Sequence, residues 1–141
     1  MDDRERRETI AFDQPPFSRF LGIEITSVSP DEVTAILPVT EDLSNRNGVL
    51  HGGAIMSFAD NVGGTATMMN LPEGMTTTTV ESKTNFLRPI RIGDTARAVT
   101  IPLHKGRTMQ VWQTSIFRSD GKLAAVVTQT QLVMEWHDAK G

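Results

Sequence analysis

Residues 45–71 read NRNGVLHGGAIMSFADNVGGTATMMNL, a glycine-rich approach followed by one long helical pattern. From about residue 53 to residue 70, apolar side chains recur at the 3.6-residue spacing of an α-helix. They are Ile55, Phe58, Ala59, Val62, Ala66 and Met69. Leu71, Pro72 and Gly74 follow, and proline and glycine end helices. This stretch therefore predicts one principal helix with a continuous apolar stripe.

The face of this helix opposite the stripe carries almost no charge. Asp60 is the only charged residue between Gly52 and Leu71, whereas a helix that faces water normally carries several charges there. The other positions of that face are small or weakly polar: Gly53, Ser57, Gly64 and Thr67. We therefore expect the sheet to cover one side and a partner surface to cover the other. Gly63 and Gly64 each cost about 1 kcal/mol relative to alanine, which indicates a close approach by another backbone or a ligand.

The segments that flank the helix read mainly as strands. Strands are expected at residues 23–28 and 33–39 before the helix, and at 76–87, 109–117 and 123–134 after it. A further run contains Val99, Ile101 and Leu103, where Pro102 implies an edge strand or a bulge. Residues 17–21 can form a short helical turn that Gly22 ends. Two strands, one long helix and four strands predict an α+β fold with an antiparallel sheet of five to six strands.

Composition limits the class of protein. The chain has 141 residues, which indicates one domain. It has no cysteine, which excludes disulfides and thiolate chemistry. Its net charge of -3 gives no sign of the basic surface that binds nucleic acid. No run reaches the roughly 20 apolar residues of a membrane span, and no apolar run follows the charged first eight residues as in a secretory signal. We expect a cytoplasmic protein with a mobile arm at 1–14, one domain at 15–136 and a tail at 137–141.

Asp60 and the loop before the helix are the candidates for chemistry. The first N–H groups of a helix lack internal partners and lie at its positive end, so the amides of Gly52 and Gly53 can hold a carbonyl oxygen that is becoming negative. A capping loop with a packed histidine, and a carboxylate with a local hydrogen bond, are the plainer interpretations. Asp60 lies seven residues beyond Gly53, roughly 10 Å along the axis, so a site that uses both needs two antiparallel copies of the helix.

The spacing Asn45-x-x-Gly48-x-x-His51-Gly52-Gly53, followed by Asp60, closely resembles the hotdog-fold thioesterases, in particular acyl-CoA thioesterases of the phenylacetic-acid-degradation type. The segments FLRPIRIGD at 86–94, KGR at 105–107 and DGK at 120–122 are similar to the same family. The resemblance implies a central helix wrapped by the sheet and hydrolysis of an acyl-CoA thioester, without a metal or a cofactor other than the substrate's own coenzyme A. It also implies a homodimer, or a dimer-of-dimers tetramer, with shared active sites.

The resemblance further implies a role for each motif residue. The Gly52 N–H, with Gly53 nearby, would polarise the thioester carbonyl, and Asn45 would orient the carbonyl or the nucleophile. His51 would hold the loop in shape and contact the thioester region. Asp60 of the other protomer would act as nucleophile or as general base on water.

Residues outside the motif complete the expected site. Thr79 matches the family's water-positioning hydroxyl, with Thr78 as the second choice, although strand propensity alone also explains this threonine run. The basic candidates for coenzyme A phosphates are Arg88, Arg91, Lys105 and Arg107. The candidates for the acyl pocket, for which core packing is the alternative, are Met56, Phe17 and Phe20.

Two other functions remain open at this point. A hydratase or dehydratase of enoyl or hydroxyacyl thioesters would use His51 and Asp60 for proton transfer, and an acyl-CoA-binding module would keep the fold without turnover. Other arrangements fail. His51, His104 and His137 are too scattered for a metal site, and the chain has no Gly-x-Ser-x-Gly elbow, phosphate loop or dinucleotide fingerprint.

Overall fold

In the computed structural model, which describes residues 1–137, one long helix packs against a single antiparallel sheet. The helices are α1 (Asp3–Phe12), α2 (Pro16–Leu21) and α3 (Gly52–Met68), with a 3-10 turn at Glu41–Leu43. The strands are β1 (Glu24–Val28), β2 (Val33–Pro38), β3 (Met75–Phe86), β4 (Thr95–Lys105), β5 (Met109–Phe117) and β6 (Leu123–Glu135). They form a six-stranded sheet in the order β1-β2-β4-β5-β6-β3. The predicted α+β class and hotdog fold are confirmed.

The apolar stripe of α3 forms the centre of the core, as predicted. All six of its members are buried, and Phe58 and Val62 are completely inaccessible to solvent. Trp112 of β5 is also fully buried, and its ring N–H donates to Gln110 Oε1 at 3.0 Å. Its one polar group is therefore satisfied within the core. Thr67, expected on the opposite face, is fully buried instead, and its hydroxyl donates to the Gly63 carbonyl at 2.8 Å.

Pro102 lies inside the sheet, where proline normally removes a needed hydrogen bond. Pairing between β2 and β4 ends at Thr100, so no strand requires an N–H from Pro102 on that side. On the other side the register with β5 shifts between Pro102 and His104. The expected bulge is therefore present, in an interior strand rather than at a sheet edge.

Residues 3–12 form helix α1, whereas a mobile arm was expected. Asp2 Oδ1 accepts from the Glu5 N–H at 2.8 Å, and the Glu5 carboxylate accepts from the Asp2 N–H at 3.1 Å, which makes a capping box. Ion pairs one turn apart join Arg6 and Arg7 to Asp3, and Arg4 to Glu8. The dense mixed charge therefore stabilises a helix, and its C-terminal end is docked on α3 through buried Ala11.

Two further expectations concern the chain ends and membranes. Of the predicted tail at 137–141, all but His137 lies outside the described residues. Across residues 1–137, no helix combines the length and the apolar character that a membrane crossing requires.

Gly63 makes the close approach that its position in the helix indicated, but to a side chain of the same protein. A Cβ added there would lie 2.3 Å from the amide group of Gln129, which is 1% exposed. We expect Gly63→Ala to lower the free energy of unfolding by about 1–2 kcal/mol, because overpacking of up to about 3 kcal/mol exceeds the roughly 1 kcal/mol gained in helix propensity. Thermal and denaturant unfolding measure this difference.

Gly64→Ala is the matched control, since a Cβ there meets no atom within 4 Å. It should leave the stability unchanged or raise it by up to about 1 kcal/mol. Equal stabilities for the two alanine variants would show that Gly63 is not required for packing against Gln129.

Candidate active site

The loop before α3 is shaped by the side chain of Asn45. Its Oδ1 accepts from the N–H groups of Asn47 at 2.9 Å and Val49 at 3.4 Å, and the Asn45 N–H donates to the Val49 carbonyl at 2.8 Å. The side-chain oxygen is thus committed to the loop. The Nδ2 group makes no hydrogen bond within residues 1–137 and is the part of Asn45 that can donate to a substrate.

The first turn of α3 gives its two glycines different roles. His51 is the N-cap, and its Nδ1 accepts from the Gly53 N–H at 2.8 Å. Since Nδ1 is an acceptor, the neutral ring carries its proton on Nε2. The Gly53 amide is therefore not free to polarise a carbonyl, and that expectation is corrected. The Gly52 N–H has no acceptor in the described chain and lies at the positive end of a 17-residue helix.

Gly52 opens into a recess of about 300 Å³ at the N-terminal end of α3. Asn45, Ile55, Phe86 and Arg88 also line it. A Cβ on Gly52 would lie 3.2 Å from the ring of Phe86, so the absence of a side chain lets the strand pass directly beside the helix start. The recess therefore combines the free backbone N–H of Gly52, the side-chain amide of Asn45 and the ring of Phe86.

Asp60 lies in a different recess of about 590 Å³, bounded by α1, α3 and β3. Its carboxylate is exposed, and its Oδ1 accepts from the Thr79 hydroxyl at 2.7 Å. No cation of residues 1–137 forms an ion pair with it at 4.0 Å or less. Thr79, the first choice from the sequence, is thus the threonine that contacts the carboxylate, and Thr78 makes no hydrogen bond to it.

The two halves of the expected site stay apart within one chain. Gly52 and Asp60 line separate recesses, and eight residues separate them along the helix, roughly 12 Å. Strand β3 runs between them, with Thr79 beside Asp60 and Phe86 beside Gly52. It is the last strand of the sheet, and within the described chain its outer edge pairs with no other strand. Both half-sites therefore lie along one open edge.

Two of the four basic candidates lie near the Gly52 recess. Arg88 lines it and donates to the Leu123 carbonyl at 2.8 Å. Arg91 lines an adjoining recess of about 380 Å³ with Arg118 and Asp120. The Arg118 guanidinium, hydrogen-bonded to the carboxylate of Asp120, lowers the pKa of that group to about 2. Because Arg118 is neutralised in this way, Arg91 is the better candidate for binding an anion there.

The other two basic candidates lie away from the Gly52 recess. Lys105 Nζ pairs with Asp31 at 2.5 Å and reaches Asn70, which follows the C-terminal end of α3. Arg107 is exposed in the hairpin after β4. The structure therefore does not bring Lys105 and Arg107 together with Gly52 in one chain.

The predicted apolar candidates also line neither recess. Phe17, Phe20 and Met56 are 60%, 82% and 42% exposed. Residues missed from the sequence line the cavity beside Asp60 instead, including Ile10, Gln14, Met68 and Gln131. Gly64, which the sequence marked for the approach of a backbone or a ligand, lines the same cavity. The signal for Gln131 was available, since Gln129 and Gln131 alternate with threonine in a strand that is otherwise mostly apolar.

Comparison with known proteins identifies the family. The sequence profile described as the Thioesterase superfamily matches residues 47–125. The chain belongs to this superfamily. A Haemophilus influenzae relative named as an esterase is 39% identical to this chain over 115 residues, which are 81% of this chain and 82% of the relative. The 1,4-dihydroxy-2-naphthoyl-CoA hydrolase of Escherichia coli is 31% identical, over 82% of this chain and 84% of that enzyme.

Solved structures agree with this assignment. A crystal structure of a thioesterase from Haemophilus influenzae superimposes with a TM-score of 0.84 and 30% identity, over all of this chain and 96% of the other. The resemblance to hotdog-fold thioesterases is thus confirmed, and the phenylacetic-acid-degradation protein PaaI of Escherichia coli shares the fold with a TM-score of 0.83 at 22% identity, over 95% of this chain and 94% of the other. This chain is therefore an enzyme that hydrolyses thioesters. Gly52, Asp60 and Thr79 all lie within residues 47–125, which match the superfamily profile.

Proposed function

We propose that this thioesterase hydrolyses acyl-CoA thioesters at sites formed by two chains, each site combining Gly52 of one chain with Asp60 of the other. The observation that carries the proposal is the arrangement along β3: a free helix-terminal amide and an unpaired carboxylate lie in separate recesses beside the same open strand edge. Two antiparallel copies of α3 across a two-fold axis bring each amide to the other chain's carboxylate.

The chemistry follows from the groups that are free. The thioester oxygen accepts from the Gly52 N–H and from Asn45 Nδ2, which stabilises the charge that develops on it during attack. Thr79 holds Oδ1 of Asp60, so Oδ2 is the oxygen available for reaction. It either takes a proton from the attacking water or attacks the carbonyl carbon itself to form an anhydride that water then cleaves. In both routes the carbon–sulfur bond breaks, and the thiolate of coenzyme A leaves and is protonated.

The coenzyme A part of the substrate is assigned to Arg88 and Arg91, because these guanidinium groups flank the Gly52 recess and guanidinium matches phosphate geometry. The name of the Escherichia coli relative, a CoA hydrolase, supports a CoA thioester as substrate. The cofactor-free reaction, the homodimer or tetramer, and the cytoplasmic location stay predictions.

The geometry gives the hydratase alternative no support. A histidine base needs an unprotonated ring nitrogen beside the substrate, but Nδ1 of His51 accepts from the Gly53 N–H and Nε2 carries the proton of the neutral ring. Two assays with matched acyl-CoA and enoyl-CoA substrates separate the reactions. Hydrolysis releases free thiol, whereas hydration removes the enoyl absorbance.

Mixing two inactive variants tests the shared site. Asp60→Asn keeps the Gly52 amide, and Gly52→Pro keeps the Asp60 carboxylate. After subunit exchange at equal amounts, half of the dimers are mixed, and each of these has one site with both groups intact. We therefore expect thiol release to recover to about a quarter of the wild-type rate, as one of two sites works in half of the dimers.

The control for this experiment is each variant exchanged with itself, with native mass spectrometry to verify that mixed dimers form. If mixed dimers are present and no activity returns, the two groups do not act together across chains. If either variant alone keeps the wild-type rate, the group it lacks has no part in hydrolysis.

A further inference from the structure

A continuous run of hydrogen bonds leads from Thr77 of the edge strand β3, through Gln131 of β6, to Asp60. The Thr77 hydroxyl donates to Gln131 Oε1 at 2.9 Å, Gln131 Nε2 donates to the Thr79 hydroxyl at 2.7 Å, and that hydroxyl donates to Asp60 Oδ1 at 2.7 Å. Thr79 and Gln131 are directly opposite each other in the pairing of β3 with β6. Gln131 is 1% exposed, so its amide group is fixed inside the protein.

The direction of these bonds follows from the chemistry of the groups. An amide nitrogen only donates, whereas a hydroxyl has one hydrogen and can also accept. While Nε2 donates to Thr79, the single hydrogen of Thr79 has to point elsewhere, and Asp60 is the acceptor it meets. With the amide reversed, Thr79 would give its hydrogen to Oε1, and two acceptor oxygens would face each other across 2.7 Å. The single hydrogen of Thr77 is shared between Gln131 Oε1 and the Leu132 carbonyl, both at 2.9 Å, so either orientation of the amide leaves one contact short of a hydrogen. The observed orientation is the one that keeps a donor on the contact with the charged carboxylate of Asp60.

We propose that Gln131 is a positioning residue, which acts on Asp60 through Thr79. By donating to Thr79, it commits the threonine hydrogen to Oδ1, so that the carboxylate is held in one rotamer with Oδ2 free. This inference rests on the proposed role of Asp60 in hydrolysis. Gln131 lies outside the 47–125 stretch and supplies no group to the reaction itself.

The test compares Gln131→Leu in three backgrounds: wild type, Thr79→Val and Thr79→Ser. Leucine has a similar volume and cannot donate, while Thr77 keeps its bond to the Leu132 carbonyl. In wild type we expect kcat for thiol release to fall about tenfold, with KM changed by less than about twofold, because the affected group orients Asp60 rather than binding substrate. The loss should persist in Thr79→Ser, which keeps a hydroxyl, and disappear in Thr79→Val, which has none to direct.

The outcomes separate a positioning role from a structural one. An equal fall in kcat in the Thr79→Val background would show that Gln131 acts on the fold, and this would overturn the proposal. A kcat that Gln131→Leu leaves unchanged in the wild-type background would overturn it as well. If Gln131→Leu melts below the assay temperature, Gln131→Met replaces it: the unbranched shape is kept, the thioether has no hydrogen to donate, and the same pattern of losses is expected.

Failure of the proposed function has a different signature. If Asp60→Asn keeps its turnover, the carboxylate is not required, whatever Gln131 does. If Asp60→Asn is inactive and the Gln131 effect is independent of Thr79, only the positioning inference fails.

Discussion

Asp60→Asn should lower kcat for thiol release by about 10²–10⁴-fold, the range that a positioned acid–base group contributes. An amide of the same shape neither takes a proton from water nor attacks a carbonyl. The Thr79 hydroxyl can still donate to the amide oxygen at the position of Oδ1, and the side chain is exposed in the single chain. The fold and the binding of acyl-CoA should therefore remain.

A thiol-trapping assay over a panel of acyl-CoA chain lengths and aryl groups measures the loss, and calorimetry measures binding of the intact substrate. Glu73→Gln is the matched control, since it neutralises an exposed carboxylate in the loop after α3, outside both recesses. Wild-type turnover in Asp60→Asn would remove the carboxylate from the mechanism, and loss of binding in that variant would assign it to substrate affinity instead.

Gly52→Pro should lower kcat by about 10²–10³-fold relative to Gly52→Ala, as expected for loss of one donor to a developing oxyanion. Proline removes the N–H and nothing else that the fold uses, because this amide makes no hydrogen bond in the described chain. The position suits it: Gly52 is the first residue of α3, where proline is favoured, and His51 before it has φ -61° and ψ 138°, an extended conformation that proline prefers in its predecessor.

The comparison with alanine separates loss of the N–H from crowding against Phe86. Both variants add a Cβ that lies 3.2 Å from the Phe86 ring, so that contact is common to the two, and proline differs by having Cδ in place of the N–H hydrogen. Steady-state kinetics give kcat, and thermal unfolding verifies that both variants fold. Equal kcat values for proline and alanine would mean that the Gly52 amide does not stabilise the transition state.

Local pattern was sufficient to predict most of the fold. The stripe of α3 and five of the six strands follow from spacing and strand propensity, and the predicted ends lie within two residues of those observed. Helix α1 was missed because the charge-dense N-terminus was interpreted as a mobile arm, although its charges pair one turn apart. Thr67 was placed on the wrong face, since its burial depends on a hydroxyl bond to the Gly63 carbonyl that removes the cost of burying it.

The sequence predicts which residues form the candidate site, but not the role that each of them has. That Gly52 is free and Gly53 is capped depends on where the His51 ring turns, which no spacing encodes. The partner of Gly63 is Gln129, 66 residues later in the chain, and only the packing of α3 against β6 brings these two positions together. Family position predicts that Lys105 lies near coenzyme A, and within one chain it pairs with Asp31, away from the Gly52 recess.

The position of α1 has an evolutionary consequence. Its C-terminal half forms one wall of the cavity beside Asp60, yet it lies before the 47–125 stretch by which the superfamily is identified. Changes in the first fourteen residues can therefore reshape that cavity while the reacting groups stay as they are. The wall of that cavity and the groups proposed to react are encoded in separate stretches of the chain, so α1 can vary while Gly52, Asp60 and Thr79 are retained.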